Sequence, residues 1–236
     1  MTVLTGQAKA AFVRHLFARI AARYDLMNRL ITLGRDQEWR RETVALSRPT
    51  AGGRAIDVAA GTGDLAIELA RYCEQVAAVD FTLEMLVVGR RKAAARPEGP
   101  HVHCVGGDAL ALPFANDTFD CATTGFAMRN VTDIEAAFRE MRRVLRPGAW
   151  VACLELTRPT SSWVRRLFHV YFYRIVPLAG RLITGDPIAY SYLPNSLTRF
   201  LTADQLKATM EAAGLVNVSY RRVNFGTIAV HVGQKA

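Results

Sequence analysis

Short apolar runs alternate with helical patterns along the middle of this chain, and that alternation constrains its fold more than any other feature. Five runs have the length and composition of buried strands: 55–59, 76–80, 101–105, 121–126 and 150–156. The segments between them are helical in composition: 65–73, 83–95 and about 132–145. Strands that alternate with helices in this way form βαβ units, whose strands lie parallel.

Two more strands close the chain, at about 217–223 and 228–233, with a predicted turn near Gly226. Capping boxes mark two helix starts, Thr132-Asp133-Ile134-Glu135 and Thr202-Ala203-Asp204-Gln205. Pro147-Gly148 is predicted to stop the first of these helices and Gly214 the second. The sequence therefore predicts an α/β fold with a largely parallel seven-stranded sheet, a C-terminal antiparallel hairpin and helices on both faces.

Size and composition indicate one folding unit over residues 1–236. The chain is half apolar and 22% charged, which is ordinary for a globular protein of this length. A helical N-terminal segment spans about 8–47. An insertion at about 159–200, rich in Tyr, Phe, Leu and Arg, takes the place of a short connection.

A net charge of +9 can reflect binding to nucleic acid, binding to an anionic membrane surface, or solubility alone. The charge by itself does not distinguish these three explanations. The four cysteines are widely spaced and the histidines are scattered, so we predict buried thiols and no metal site. The N-terminus has no signal-peptide pattern, and no run of about 18 apolar residues predicts a membrane span. We expect a cytoplasmic protein.

A small-residue turn, Asp57-Val58-Ala59-Ala60-Gly61-Thr62-Gly63-Asp64, joins the first strand to a helix. Glycine at 61 and 63 lets a ligand approach bare backbone. Dinucleotide-binding turns carry a third glycine and bind pyrophosphate at the helix N-terminus, but this turn lacks that glycine and has Asp64 there instead. A cationic ligand without phosphate is favoured, and S-adenosylmethionine is the common cofactor of that description.

Acidic residues follow the next strands along the chain. Asp80 ends the second strand, where its carboxylate can accept hydrogen bonds from both ribose hydroxyls. Asp108, with the backbone of Ala109 beside it, follows the third strand and can accept from an adenine amino group. Carboxyl ends of parallel strands meet at one edge of a sheet, so we predict that Asp57 and these residues form one cofactor site there.

The chain resembles the demethylmenaquinone and demethylubiquinone C-methyltransferase family over nearly its whole length. Four segments carry the resemblance: FARIAARYDLMN at 17–28, GTGD at 61–64, GFAMRNVTD at 125–133 and AVHVGQK at 229–235. The resemblance implies a Rossmann-like class I methyltransferase fold. It also implies C-methylation of a polyprenylated quinol, late in quinone synthesis, with S-adenosylmethionine as methyl donor.

The resemblance places the methyl-donor contacts on Thr62, Asp80, Asp108 and Ala109, with Gly125 beside the ligand. The chain departs from the family at two positions. Ala60 stands where glycine is usual, and Gly125 stands where serine is common, which removes a hydroxyl contact.

Methyl transfer to a ring carbon requires an electron-rich arene, and a quinol becomes one when a ring hydroxyl loses its proton. Arg129 and Asn130, just past the fourth strand, are predicted to hydrogen-bond the developing phenolate. Because a guanidinium stays protonated, Arg129 is a stabiliser and not the base. Tyr24 is predicted to help position the ring, and Asp108 or a water is a candidate proton acceptor.

Aromatic and arginine side chains are mixed within 161–176, a composition typical of a membrane interface, although a core helix with solvated arginines fits it as well. The N-terminal helix is expected to pack over the cofactor as a lid, and Tyr190-Ser191-Tyr192-Leu193 to line the quinol pocket. We expect peripheral contact with the inner face of the cell membrane and no nucleic-acid partner, while a homodimer stays open.

Two rival functions also stay open: an RNA or other small-molecule methyltransferase, and a non-catalytic lipid-binding protein with a Rossmann-like shell. The chain carries no appended RNA-binding module and no contiguous Lys/Arg run, which disfavours the first. The set of glycines and aspartates at the strand ends disfavours the second. The sequence does not separate a naphthalene ring from a benzene ring in the quinol.

Overall fold

The computed structural model of the protein describes residues 5–178, 196 and 200–236. The strands are β1 (Arg54–Val58), β2 (Gln75–Asp80), β3 (Val102–Gly106), β4 (Phe119–Gly125), β5 (Leu145–Leu156), β6 (Leu215–Val223) and β7 (Ile228–Lys235). The α-helices of the described residues are α1 (Gly6–Thr32), α2 (Asp36–Leu46), α3 (Asp64–Leu69), α4 (Leu83–Ala94), α5 (Ile134–Val144), α6 (Ser162–Val170) and α7 (Ala203–Ala212). A π-helical turn, Tyr171–Ile175, continues α6.

The seven strands of the described part of the chain form one sheet in the order β3-β2-β1-β4-β5-β7-β6. Strands β1 to β5 are parallel, and β7 pairs antiparallel with both β5 and β6. The predicted fold, including the antiparallel C-terminal hairpin, is confirmed. The chain order reverses between β1 and β4, and ligands of open α/β sheets bind at the carboxyl ends of strands beside such a reversal.

Successive side chains of β1 enter two different apolar layers, as the alternation of a strand requires. Ile56 packs on the side of α5 and α7, with Phe138 and Met210 in the same cluster. Ala55 packs on the other side, with Leu69 of α3. Helices on both faces therefore bury the sheet, and its carboxyl edge is the face left for a ligand.

Two local predictions need correction. The side chain that caps α5 belongs to Asp133, which accepts a hydrogen bond from the backbone N–H of Ala136, so the box predicted on Thr132 is wrong. β5 begins at Leu145, ahead of Pro147-Gly148, because the chain passes directly from the helix into the strand. The capping box on Thr202 is confirmed, and Gly214 follows α7 with a φ of +85°.

Of the predicted insertion, the structure describes 159–178, 196 and 200, so the predicted role of Tyr190 and its neighbours lies outside the described residues. None of the described helices is both long enough and apolar enough to span a bilayer. Within the same residues, no three metal-binding side chains come together.

Candidate active site

The turn between β1 and α3 is held open by its backbone conformation. Ala59, Gly61 and Gly63 all have positive φ, and glycine removes the steric cost of that conformation at two of the three positions. The N–H of Gly61 donates to Oδ2 of Asp80 over 2.8 Å. The carboxylate of Asp80, at the end of β2, therefore holds the turn in this conformation.

Asp80 is 6% exposed, and its second oxygen, Oδ1, accepts from the N–H of Thr82 over 2.8 Å. Burial raises the pKa of this carboxyl, although the backbone N–H groups around it oppose the shift. The side chain of Thr82 is also buried, and the interaction of its hydroxyl with the Asp80 carboxyl likewise opposes the shift. A polar ligand group is the natural partner for these two side chains.

A cavity of about 100 Å³ lies at this carboxyl edge of the sheet. Five of the predicted cofactor residues line it: Gly61, Asp80, Asp108, Ala109 and Gly125. Residues of α1 form its opposite wall: Ala10, Val13, Phe17 and Tyr24. We call it the turn cavity.

The other three predicted cofactor residues lie behind the turn. Asp57 and Thr62 line a neighbouring hollow of about 30 Å³, and Gly63 caps α3. Asp57 is 1% exposed and accepts hydrogen bonds from the hydroxyl of Thr123 and the N–H of Ala66. Burial raises the pKa of this carboxyl to about 7.

A charged network ties α1 to the turn. Lys92 on α4 donates to Asp25 over 2.8 Å, to Asp64 over 2.6 Å and to the hydroxyl of Thr62 over 3.1 Å. Thr62 in turn donates to Asp25 over 2.5 Å. Arg40 reaches the other oxygen of Asp64 at 3.3 Å. The Thr62 hydroxyl, predicted as a cofactor contact, is thus already bonded within the protein.

A larger cavity of about 350 Å³, which we call the apolar cavity, lies between α1, α2, α6 and the carboxyl ends of the strands. Its walls are mainly aliphatic and aromatic, with Leu16, Ile20, Trp39, Leu156, Phe168 and Phe172 among them. The hydroxyl of Tyr171 donates to the carbonyl of Ile31 over 2.7 Å and joins two of these walls. A flat or chain-like apolar ligand suits this space.

Among the described residues, four line both cavities and mark where they meet: Phe17, Tyr24, Phe126 and Asn130. Burial raises the pKa of Tyr24, and this outweighs the opposite influence of Asn28 and of the charges on Arg129 and Arg40. Tyr24 therefore keeps its proton at neutral pH and acts as a hydrogen-bond donor. Phe126 has a φ of +57°, which is strained for a residue with a side chain.

Arg129 lines the apolar cavity and is held by a residue that the sequence did not identify. Its Nη1 lies 2.5 Å from Oε1 of Glu155 on β5, and both side chains are buried, 6% and 1% exposed. The N–H of Arg129 also points at the second oxygen of Glu155, 3.5 Å away. A single charge inside the apolar run of β5 was the available signal, because a buried carboxylate requires a partner.

Lys9 of α1 hydrogen-bonds the backbone of the loop that carries Arg129. Its ammonium donates to the carbonyls of Val131, over 2.7 Å, and of Arg129, over 3.2 Å. Burial lowers the pKa of this lysine. The helix that covers the turn cavity is therefore bonded to the backbone of the loop bearing Arg129 and Asn130.

The strand order, the glycine turn after β1 and the acid that closes β2 define a Rossmann-like methyltransferase. A crystal structure of a SAM-dependent methyltransferase of Thermotoga maritima, described as a possible histamine N-methyltransferase, shares this fold. Its TM-score is 0.65 at 20% identity, over 94% of this chain and 99% of that one. The chain belongs to the ubiE/COQ5 methyltransferase family, whose sequence model matches residues 3–235.

Curated relatives match along nearly the whole chain. The demethylmenaquinone methyltransferase of Roseiflexus castenholzii is 50% identical over 229 residues, which cover 96% of this chain and 94% of the relative. The demethylmenaquinone methyltransferase of Thermus thermophilus is 44% identical over 222 residues, which cover 93% of this chain and all of the relative. The family resemblance of the sequence is confirmed.

Proposed function

We propose that this protein transfers a methyl group from S-adenosylmethionine to a ring carbon of a polyprenylated naphthoquinol, converting demethylmenaquinol to menaquinol. One observation carries the proposal: Tyr24 and Asn130 stand where the turn cavity meets an apolar cavity that holds Arg129. The naphthalene ring is favoured over a benzene ring by the names of the two curated relatives.

The residues of the turn cavity and the hollow behind it fit S-adenosylmethionine. Asp80 and the neighbouring hydroxyl of Thr82 would hold the ribose side, and Asp108 with Ala109 the adenine. Asp57, which lines the hollow behind Gly61, would supply negative charge to the cationic end of the cofactor. When bound, the cofactor supplies an electrophilic methyl group on a sulfonium.

The side chains at the junction act on the ring oxygen next to the reacting carbon. Tyr24 and Asn130 donate hydrogen bonds to that oxygen, and Arg129 stabilises the negative charge that develops there. Glu155 orients the guanidinium of Arg129 and balances its charge before the quinol enters. Asp108 lines the turn cavity and not the apolar cavity, so an ordered water is the better candidate for the proton acceptor.

Helices α1 and α2 form the lid of a single methyltransferase domain spanning residues 1–236. Four α1 side chains wall the turn cavity, and the contacts of Lys9 and Asp25 hold the helix closed over it. Opening requires both contacts to break. The lid excludes water from the reacting carbon when it is closed.

The rim of the apolar cavity favours contact with a membrane surface. Leu33 and Phe225 line the cavity, yet their side chains are 86% and 81% exposed. Both have positive φ, at +53° and +55°, which is costly for a side-chain-bearing residue. Burial in lipid of two strained, exposed apolar residues at a cavity mouth would offset that cost.

The segment after β5 extends this apolar rim with interfacial chemistry. Trp163 is 68% exposed on α6, and Arg165, Arg166 and Arg174 are exposed beside it. Tryptophan favours the headgroup layer, and arginine pairs with anionic phosphates. The protein accordingly docks from the cytoplasm on an anionic membrane face, so that the prenyl tail reaches the cavity from the bilayer.

Methyl transfer to matched quinols tests the function. The protein is incubated with labelled S-adenosylmethionine and one of two reduced acceptors that carry the same short prenyl tail, a demethylnaphthoquinol or the corresponding benzoquinol. We expect label in the naphthoquinol, and turnover that falls strongly in Tyr24→Phe. Label in the benzoquinol alone would overturn the ring assignment, and binding of the methyl donor without transfer to either ring would overturn the proposed reaction.

Vesicle flotation tests the membrane contact. We expect the protein to float with anionic vesicles, and the Leu33→Ser/Phe225→Ser variant to lose flotation while it keeps activity on a water-soluble, short-tailed quinol. The matched control is Tyr72→Ser/Val216→Ser, which alters two exposed apolar residues at the amino edge of the parallel strands. Equal flotation of the two variants would contradict the proposed rim.

A further inference from the structure

Two buried N–H groups on residues that line the apolar cavity have no acceptor among the described residues. They are Trp39 Nε1 and Arg129 Nε. The described buried hydroxyls without a partner, those of Thr124 and Thr157, do not line this cavity. The protein therefore offers these two donors no acceptor from that set.

A buried donor without an acceptor is unfavourable, and most native structures avoid it. Two such donors in one largely apolar cavity indicate that a ligand supplies the acceptors. That ligand must be largely apolar and must carry oxygen atoms at more than one position, because the donors come from α2 and from the turn after β4.

Arg129 belongs to the reacting end of the cavity, where it follows β4. Asn28 lies one helical turn after Tyr24 on α1, and its side chain hydrogen-bonds the Tyr24 hydroxyl, which lowers the pKa of that hydroxyl. We assign Arg129, together with the Tyr24 hydroxyl that Asn28 holds in place, to the ring oxygen next to the carbon that is methylated.

Trp39 stands apart from that group. Its side chain is 3% exposed and packs in a cluster with Leu156, Phe172 and Ile228, under the aromatic wall formed by α6 and its π-helical turn. The indole N–H has no role in holding α2, because nothing in the described protein accepts from it.

We propose that the indole N–H of Trp39 binds the second ring oxygen of the quinol, the one next to the tail-bearing carbon. Held at both oxygens, the ring keeps its unsubstituted carbon toward the turn cavity and its tail toward the rim at Leu33 and Phe225. Trp39 is then a specificity residue that fixes which face and which carbon of the ring are presented. The inference rests on the proposed function.

The test pairs a variant with an altered ligand, and calorimetry measures binding to the full chain. The variant is Trp39→Phe, which removes the N–H and keeps an aromatic ring. The matched control is Trp150→Phe, which removes an indole N–H outside both cavities, at a ring that packs under Arg48. The probes are a short-tailed prenyl naphthoquinone with both oxygens and an analogue that lacks the oxygen beside the tail.

We expect Trp39→Phe to weaken binding of the two-oxygen probe by about tenfold and to leave the one-oxygen analogue unchanged. Asn28→Leu should weaken both probes, and Trp150→Phe neither. Equal weakening of both probes by Trp39→Phe would reduce the residue to a packing role, and no weakening of either would also overturn the inference. Failure of the unaltered protein to bind either probe would instead overturn the proposed function.

Discussion

The buried ion pair between Arg129 and Glu155 leads us to predict that one substitution changes both stability and activity. Glu155→Gln keeps the shape and an acceptor oxygen but leaves the guanidinium without a counter-charge. Both side chains are almost fully buried and lie 2.5 Å apart, so solvent screens the pair very little. Breaking such a pair by removing one partner costs about 3–5 kcal/mol. For a chain of this length, that lowers the melting temperature by roughly 6–20 °C.

A double variant separates stability from catalysis. Arg129→Met/Glu155→Met removes both charges, so we expect most of the lost stability to return, because apolar residues replace buried ion pairs at little cost. Turnover should remain about 10²–10³-fold below that of the wild-type protein, since the guanidinium that stabilises the phenolate is absent. Thermal unfolding by circular dichroism and methyl transfer are measured on all variants. An unchanged melting temperature in Glu155→Gln, or normal turnover in the double variant, would refute the reasoning.

Three further predictions concern the cofactor side. Since a cation near Asp57 favours its charged form and lowers its pKa from about 7, binding of S-adenosylmethionine should release a proton and tighten as pH rises toward 7. Calorimetry in buffers of different ionisation enthalpy measures this, and the effect should vanish in Asp57→Asn. Asp80→Asn should weaken cofactor binding by about 10–100-fold, because a charged hydrogen-bond acceptor for the ribose is lost. An affinity within about twofold of wild type would show that Asp80 does not bind the ribose. Gly125→Ser should destabilise the fold by about 1–3 kcal/mol, because an added Cβ lies 2.7 Å from Cδ1 of Leu65. Denaturant unfolding should show recovery when Leu65→Ala is added, and no recovery would mean that the clash lies elsewhere.

The parts of the fold that depend on local patterns were predictable. Strand positions followed from short apolar runs, and the cap of α7 followed from two residues three positions apart, Thr202 and Gln205. Choosing between neighbouring caps was harder. Thr132 and Asp133 can both cap a helix, and the backbone ahead of α5 selects Asp133.

Most of the predicted site residues were identified because they follow the ends of strands. The contacts that hold them in place were not identified. Glu155 is 26 positions from Arg129, and Lys92 is 67 positions from Asp25. No local pattern pairs residues so far apart along the chain. Trp39 was missed for another reason, since a tryptophan in an amphipathic helix is ordinarily a core residue and only the unpartnered N–H distinguishes it.

The position of the transferred methyl group tests the central claim most directly. The protein is given S-adenosylmethionine with a ¹³C-labelled methyl group and a short-tailed demethylnaphthoquinol, and the product is examined by NMR. We predict a labelled methyl on the ring carbon between the hydroxyl-bearing and tail-bearing carbons, and label formed about 10²–10³-fold more slowly with the folded Arg129→Met/Glu155→Met variant. Label on a ring oxygen, or equal labelling by that variant, would contradict the account.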